Sequence, residues 1–508
     1  MSAMPPQAGA HPDAGRTNGR VREDFLLPLV ILCTPFIDFP GIGGGAYVKP
    51  LVLPVALLAL IASVARGDAL LPRMDRFNKL WLAFLVWALV GDMVFPWIIG
   101  MPHEFKGQTL AGRIARDLTS LCSGLMLWFY LRRSIVQRTH AVVATRWVLR
   151  SFWLILPFII AQILVVTTDS VPAHLLDTLL SVFRSSTQTD HYRKIFGTTP
   201  EASMLADQLL SLYLPFALAS LLLGTSLFRR RVGGLRVEAW IAFASVVALV
   251  FTQSRIGLVA ALFLAISGYL LASRVKSGRR SLLRLLALPA VLVVAGGGLA
   301  LLGGDKLGQF LGTFASVDDS IDNGVWSNVT RFGSMAAGID MAAHHPMGVG
   351  TGSFPFLFEQ YVPDWALLSP EIQGLLGGNS DYVMLTTGFE GDDLETRLPD
   401  AKSLLVRALA ELGVPGFTLL GIIWFRLLRG TWAAFRRCEQ GSPLRPVAFG
   451  AMLALLVMLP LSFSINSYVW VHWILVASIA ACVCRFETPM KPKRVNAPSS
   501  LAEVPASS

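Results

Sequence analysis

The apolar residues of this chain fall into repeated blocks of about twenty, and this pattern restricts the fold more than any other feature. A helix rises about 1.5 Å per residue, so each block is long enough to cross a hydrocarbon layer of about 30 Å. Hydrophobic residues occupy 54% of the 508 positions and charged residues only 15%, against roughly a quarter in soluble proteins. The sequence therefore predicts an all-α, polytopic integral membrane protein with about 12 transmembrane helices.

The predicted spans leave two tails and one long loop. Residues 1–24 and 486–508 are rich in Pro and small residues and are expected to be disordered cytoplasmic tails. Helices 1–9 are expected within 25–303 and helices 10–12 within 403–485, which leaves 304–402 as a large loop. The spans are predicted near 25–40, 46–65, 78–99, 113–131, 150–168, 200–226, 237–253, 256–273, 282–303, 403–426, 446–463 and 466–485.

The distribution of basic residues predicts the orientation, because short cytoplasmic loops carry an excess of Lys and Arg. With the N-terminus inside, the predicted cytoplasmic segments and the span ends that adjoin them hold 30 of the 43 Lys and Arg, whereas the large loop carries 14 Asp and Glu. We expect a multi-pass protein of the bacterial inner membrane, with both termini cytoplasmic and the large loop periplasmic. This orientation explains the net charge of +10, and no nucleic-acid partner is predicted.

The five cysteines indicate neither a disulfide framework nor a metal centre. None of them lies in the large loop, where an oxidising compartment would favour disulfides. Cys482 and Cys484, at the predicted inner end of the last helix, lack nearby histidines or a second cysteine pair. We expect neither a metal nor a cofactor.

Ionisable residues within the predicted spans share one depth, in the outer halves. A charge in a bilayer is costly, so such residues mark either a buried ion pair or a functional site. Isolated pairs, such as Arg407 with Glu411 one helical turn later, explain single charges, whereas a polar cavity open to the outer face explains their common depth. The residues concerned are Asp92, Arg113, Arg116, Asp117, Asp207, Arg255, Arg407, Glu411 and His472.

Four motifs occur between residues 193 and 416. Residues 193–203 (RKIFGTTPEAS) lead into the sixth span, and residues 252–257 (TQSRIG) form a tight turn between two apolar helices. Arg331 begins a helix-like stretch that ends in the turn at residues 346–354 (PMGVGTGSF). Residues 403–416 (SLLVRALAELGVPG) then reopen the membrane domain.

In this order, the motifs resemble the O-antigen ligase and Wzy-type polysaccharide polymerase family over roughly residues 190–420. The resemblance implies an all-helical fold of the lipid-linked-sugar glycosyltransferase (GT-C) type. It also implies a metal-independent membrane glycosyltransferase that takes its donor glycan from undecaprenyl diphosphate, in the biosynthesis of O-antigen, capsule or exopolysaccharide. The implied partners are this lipid-linked glycan, the lipid bilayer and a chain-length regulator.

The implied donor, a lipid diphosphate, predicts that basic residues at the membrane surface bind it. A lipid diphosphate needs fixed positive charge at that depth, and arginine provides a planar fork of donors. Arg255 and Arg331 are therefore candidate catalytic residues, and Asp400 and Glu411 are candidate bases or positioning groups for the acceptor hydroxyl. The candidate substrate-binding residues are Arg193, Lys194, Glu201, Lys402 and Arg407.

One difference from the family pattern bears on the reaction. O-antigen ligases have a histidine in the loop before the span-ten helix, where this chain has Pro-Asp-Ala-Lys-Ser at residues 399–403. This favours a polymerase, which transfers glycan to a lipid-linked repeat unit, over a ligase, which transfers polymer to lipid A-core or protein. A transporter is the third alternative, because about twelve helices with both ends inside suit the major facilitator architecture. That architecture usually has its long loop in the middle, on the cytoplasmic side.

Overall fold

A computed structural model describes residues 20–40, 49–67, 71–72, 74–168, 170–183, 194–274, 321–377, 398–465, 467–468 and 470–485. These residues are mostly helical, as predicted for an all-α fold. The strands of the described residues form two short antiparallel hairpins. They are β1 (Glu104–Phe105) with β2 (Gln108–Thr109), and β3 (Arg231–Val232) with β4 (Leu235–Arg236).

The helices are numbered here along the described chain. α7 contains one π-helical turn, Leu209–Tyr213, and a 3₁₀ turn spans Asp364–Leu368. The helices are α1 (Arg20–Cys33), α2 (Val52–Ala65), α3 (Arg76–Ile99), α4 (Leu110–Ser134), α5 (Arg138–Thr168), α6 (Val171–Ser181), α7 (Ala202–Leu223), α8 (Val237–Thr252), α9 (Arg255–Ser273), α10 (Ile321–His344), α11 (Phe354–Tyr361), α12 (Pro370–Leu375), α13 (Leu404–Arg437), α14 (Leu444–Leu461) and α15 (Val471–Arg485).

Six of the described helices are long and apolar enough to cross a membrane, namely α3, α5, α7, α9, α13 and α14. Three shorter apolar helices, α2, α8 and α15, coincide with further predicted spans. The chain is thus a multi-pass helical membrane protein, while the total of about twelve spans stays a prediction. The ninth predicted span, residues 282–303, lies outside the described residues.

α7 and α14 form the centre of the bundle. They are the most buried of the six apolar helices, at 89% and 83% of their spanning windows. Gly450 of α14 lies against Phe216 of α7, where a Cβ would stand 2.5 Å from the ring. Small residues let membrane helices approach closely, so that van der Waals contacts replace the hydrophobic driving force lost in lipid.

Asp75 joins three helices at one end of the bundle. Its Oδ1 accepts the backbone N–H of Asn78 at 2.9 Å and caps the start of α3. Its Oδ2 lies 2.6 Å from the guanidinium groups of Arg132, near the end of α4, and Arg485, at the end of α15. The carboxylate therefore compensates two arginines and fixes the relative position of these helix ends.

Candidate functional site

The opposite end of the bundle is organised around a helix break in α13. Gly413 has φ 64° and ψ −172°, so the helical hydrogen-bond ladder is interrupted there. In lipid, backbone groups released by such a break must find partners within the protein. The partners come from residues 346–353, which we name the glycine loop.

The backbone of the glycine loop forms hydrogen bonds with the backbone of α13 on both sides of the break. Val349 and Gly350 donate their backbone N–H groups to the carbonyls of Ala410 and Glu411, at 3.1 and 2.8 Å. In the other direction, Val414 donates its N–H to the carbonyl of Pro346 at 2.8 Å. The carbonyl of Leu412 accepts the indole N–H of Trp87 from α3, at 2.8 Å. The break and the loop thus satisfy each other's backbone groups.

A second contact ties the glycine loop to α3. Thr351 donates its backbone N–H and its hydroxyl to the carboxylate of Asp92, with 2.6 Å for the hydroxyl. Asp92 is buried, and burying a carboxylate without such donors would be costly. The loop is therefore held from both sides, by α13 and by α3.

Beneath the loop lies a buried charge cluster made of residues from three parts of the chain. The guanidinium of Arg407 binds Glu411 one turn later (Nε–Oε2 2.9 Å) and also binds Asp117 of α4. Tyr468 donates its hydroxyl to Glu411 Oε2 at 2.9 Å, and its ring lies under the Arg407 guanidinium. The expected pairing of Arg407 with Glu411 is present, and Asp117 and Tyr468 extend it.

A third buried carboxylate, Asp207 of α7, is bound by the segment that follows Tyr468. Trp473 donates its indole N–H to Asp207 Oδ1 at 3.0 Å, Trp470 donates to Oδ2, and His472 Nδ1 lies 3.4 Å from Oδ2. Asp207 lies two residues before the π-helical turn of α7, and π-turns within helices are frequent at functional sites. Tyr468, together with Trp470 and Trp473, therefore links the Arg407 cluster with the beginning of α7.

The loop before α7 brings Lys194 close to Arg255. Gln162 of α5 holds this loop, because its Oε1 accepts the N–H groups of Phe196 and Gly197 at 2.9 and 2.8 Å. Ile195 donates its N–H to the carbonyl of Phe251 at 3.3 Å, just before the turn that carries Arg255. Burial and the charge of Arg255 lower the pKa of Lys194 below its ordinary value of 10.5.

Arg255 is the first residue of α9 and is exposed. The preceding residue, Ser254, caps this helix by accepting the N–H of Gly257 at 3.2 Å. Gly257 in turn packs on Ala206 of α7, where a Cβ would lie 2.7 Å from the alanine methyl. No carboxylate of the described residues pairs with Arg255. The turn thus presents a fixed cation beside Lys194.

The other predicted site residues lie in different surroundings. Lys402 lies 3.7 Å from both Asp400 and Glu371, and Asp400 also accepts the N–H of Lys402 at 3.0 Å. Glu201 is exposed at the start of α7 and accepts the hydroxyl of Ser203 at 3.0 Å. Arg331 is half-buried on α10, and within the described chain nothing joins it to the other site residues. Arg193 lies outside the described residues.

Several residues of this arrangement were not assigned a role from the sequence. The sequence marks Asp92, Asp117 and Asp207 as intramembrane charges, but their partners are distant in the chain. The sequence did not indicate a role for Tyr468 or Trp473, because single aromatic residues near a helix end are common in membrane proteins. Within the described ranges, no group of three His, Cys, Asp or Glu side chains could hold a metal ion.

The histidines before the glycine loop form a separate contact. His345 Nε2 lies 2.8 Å from the hydroxyl of Tyr361 on α11. Burial and the neighbouring His344 lower the pKa of His345 below its ordinary value of 6.5, which favours the neutral ring. The pair joins the end of α10 to α11.

The helices and the charged residues at the glycine-loop end first define a class, a multi-pass membrane protein with a polar site at one end of the bundle. The family model described as O-antigen ligase matches residues 240–374, which contain Arg255, α10 and the glycine loop. This match supports an O-antigen ligase-related family and confirms the resemblance of the motifs over these residues. Among proteins with curated descriptions, none matches the chain.

Proposed function

We propose that the protein is a polysaccharide polymerase of the inner membrane that uses a glycan carried on undecaprenyl diphosphate. The observation that carries this proposal is the pair of adjacent cations, Lys194 and Arg255, at a site that the O-antigen ligase model covers in part. Two cations held together repel each other, and an anion between them removes that repulsion. A diphosphate, with charge on both phosphoryl groups, suits this position.

The proposed reaction is a displacement at the sugar carbon that carries the diphosphate. The acceptor hydroxyl oxygen forms a bond to this carbon while the bond to the diphosphate oxygen breaks, and the diphosphate leaves on its lipid. Lys194 and Arg255 would stabilise the charge that develops on the leaving oxygen, which is usually the largest catalytic contribution. The hydroxyl proton must pass to a base.

Asp400 suits the role of base better than Glu411. The side chain of Glu411 is 1% exposed, and its Oε2 already accepts from both Arg407 and Tyr468. The side chain of Asp400 is 31% exposed and lies in the loop just before α13. We therefore assign Glu411 to holding Arg407, and Asp400 to receiving the proton. Arg331 stays a candidate for substrate contact.

A ligase is the second candidate, because the matching family model is described as O-antigen ligase. The two reactions share donor chemistry and differ in the acceptor. Lys402, held by Asp400 and Glu371, stands in the loop where the ligase pattern has a histidine. That substitution is our reason for preferring the polymerase.

Analysis of the lipid-linked glycans in a deletion strain separates the candidates. Loss of a polymerase should leave single repeat units on the carrier and remove the surface polymer. Loss of a ligase should instead leave long polymer on the carrier. An unchanged glycan profile would contradict both the polymerase and the ligase and would favour a transporter. Asp400→Asn should reproduce the deletion at normal protein level, whereas Glu411→Gln should reduce the amount of folded protein, because Arg407 would lose a charged partner.

A further inference from the structure

We propose that the beginning of α4 carries a second phospho-anion site, formed by Arg113 and Arg116, which holds the diphosphate of the acceptor lipid. The inference rests on the proposed polymerase function, because a polymerase must hold two lipid-linked glycans at once. It concerns a different part of the bundle from the pair Lys194 and Arg255.

Arg116 is an exposed cation on α4 that has no counter-charge among the described residues. It is the seventh residue of α4, about 9 Å along the axis from the helix start. No carboxylate of the described residues pairs with it. The next residue, Asp117, binds Arg407 of α13. Charged residues within membrane proteins normally pair or face a polar ligand, because lipid solvates them poorly.

Arg113 is incompletely paired on the same part of α4. Its Nε is buried and makes no hydrogen bond with the described residues. The nearest carboxylate oxygen, Asp117 Oδ2, lies 3.9 Å away and is already bound by Arg407. Arg113 and Arg116 are three residues apart and therefore neighbours on the helix surface. Together they offer more donors than the described protein satisfies.

The surface around Arg116 differs from a lipid-facing surface. On the adjoining α3, the exposed side chains are bulky and apolar, with Met93, Trp97 and Ile98 each more than 70% exposed. The exposed residues of the first half of α4 are small or polar. They are Ala111, Gly112, Ala115, Arg116, Thr119 and Ser120. α4 has 25 residues but falls outside the six apolar spans. Such a surface leaves room for a headgroup beside the guanidinium.

The position also suits an acceptor. The glycine loop contacts this part of α4 directly, since a Cβ on Gly352 would lie 3.1 Å from both the Cγ and the carbonyl oxygen of Arg113. Asp117, Arg407, Glu411 and Tyr468 contact one another in turn. Trp470 and Trp473, which follow Tyr468 in the chain, bind Asp207 at the beginning of α7, the helix against which the turn with Arg255 packs. Two lipid-linked glycans would thus approach the glycine-loop end from two sides of the bundle.

Binding of undecaprenyl diphosphate to the purified full-length chain tests the inference, with the number of bound molecules measured by native mass spectrometry. We expect two bound molecules per wild-type chain and one per chain of either variant. The remaining molecule should occupy the donor site in Arg116→Ala and the α4 site in Arg255→Ala. The affinity of the affected site should fall by about tenfold or more, because a bidentate guanidinium–phosphate contact is lost. Arg274→Ala, at the other end of α9, is the control and should bind two.

The outcomes separate this site from the donor site. If Arg255→Ala abolishes all binding, or Arg116→Ala still binds two molecules, the second site is refuted and the donor assignment stands. If phosphatidylglycerol vesicles displace the Arg116-dependent molecule as well as undecaprenyl diphosphate does, the site is a general anionic-lipid site, and the acceptor assignment is overturned. If two molecules bind as expected while the deletion strain keeps a normal glycan profile, the proposed function fails and the site does not.

Discussion

Gly348 and Gly413 face each other so closely that a methyl group on either would overlap the backbone of the other. A Cβ on Gly348 would lie 2.6 Å from the nitrogen of Gly413, and both residues have positive φ, at 95° and 64°. The contact holds the glycine loop against the break in α13. The loop then supplies hydrogen-bond partners for the backbone groups that the break leaves without helical partners. It is the point on which the arrangement of the glycine-loop end depends.

Replacing either glycine should therefore destabilise the protein. We expect Gly413→Ala and Gly348→Ala to lower the free energy of unfolding by about 2 kcal/mol or more, since backbone strain adds to the overlap. Gly421→Ala is the matched control, because Gly421 lies on the same helix with ordinary φ and open space around it. Thermal unfolding in detergent measures the effect. A Gly413→Ala protein that unfolds with the control would contradict the interlock.

Arg255→Ala should abolish glycan assembly while membrane insertion and protein level stay normal. Arg255 is exposed and makes no ion pair within the described chain, so its loss removes a ligand contact rather than a packing contact. Arg255→Lys should rescue in part, because an ammonium keeps the charge without the bidentate fork. Arg274→Ala should behave as the wild type. Normal surface glycan in Arg255→Ala cells would refute the donor site.

The lowered pKa of Lys194 predicts how donor binding depends on pH. A bound diphosphate favours the protonated lysine, so the pKa of Lys194 is higher in the complex than in the unliganded protein. Affinity should be constant below the unliganded pKa and should fall as pH rises through it, by up to about tenfold per pH unit. The fall should begin at lower pH than for an ordinary lysine.

Lys194→Arg separates this effect from general loss of stability at high pH. Arginine keeps its proton, so the decline should disappear from a binding titration with undecaprenyl diphosphate between about pH 7 and pH 10. An identical decline in wild type and variant would show that another group titrates.

The orientation is tested by fusions to alkaline phosphatase, which is active only outside the cytoplasm. A fusion after Gln360, in the predicted periplasmic loop, should be active, and a fusion after His140, in a predicted cytoplasmic loop, should be inactive. The expectation rests on the excess of Lys and Arg on the predicted cytoplasmic side. The opposite pattern would reverse the orientation and place the proposed site on the cytoplasmic face, where the polymerase proposal no longer holds.

The general fold was predictable from the sequence because its causes are local. Long apolar blocks form helices wherever lipid leaves backbone groups no other partner, and this holds for α3, α5 and α9 whatever their neighbours. Lys194 and Arg255 both belong to motifs that the sequence singled out, whereas their nearness to each other came from the tertiary structure. The pairing of Arg407 with Glu411 follows from one helical turn.

The remaining site contacts could be decided only by the tertiary structure. Asp92 and Thr351 are 259 residues apart, Asp117 and Arg407 are 290 apart, and Asp207 and Trp470 are 263 apart. No periodicity encodes such pairs, because helix packing brings their side chains together. The same holds for the break at Gly413. The apolar helical pattern continues through this residue, and the break is stable only because the glycine loop supplies hydrogen-bond partners for the released backbone groups. By itself, the sequence determined the helices and the charges they carry, whereas packing determined which charges became buried partners and left Arg255 and Arg116 exposed.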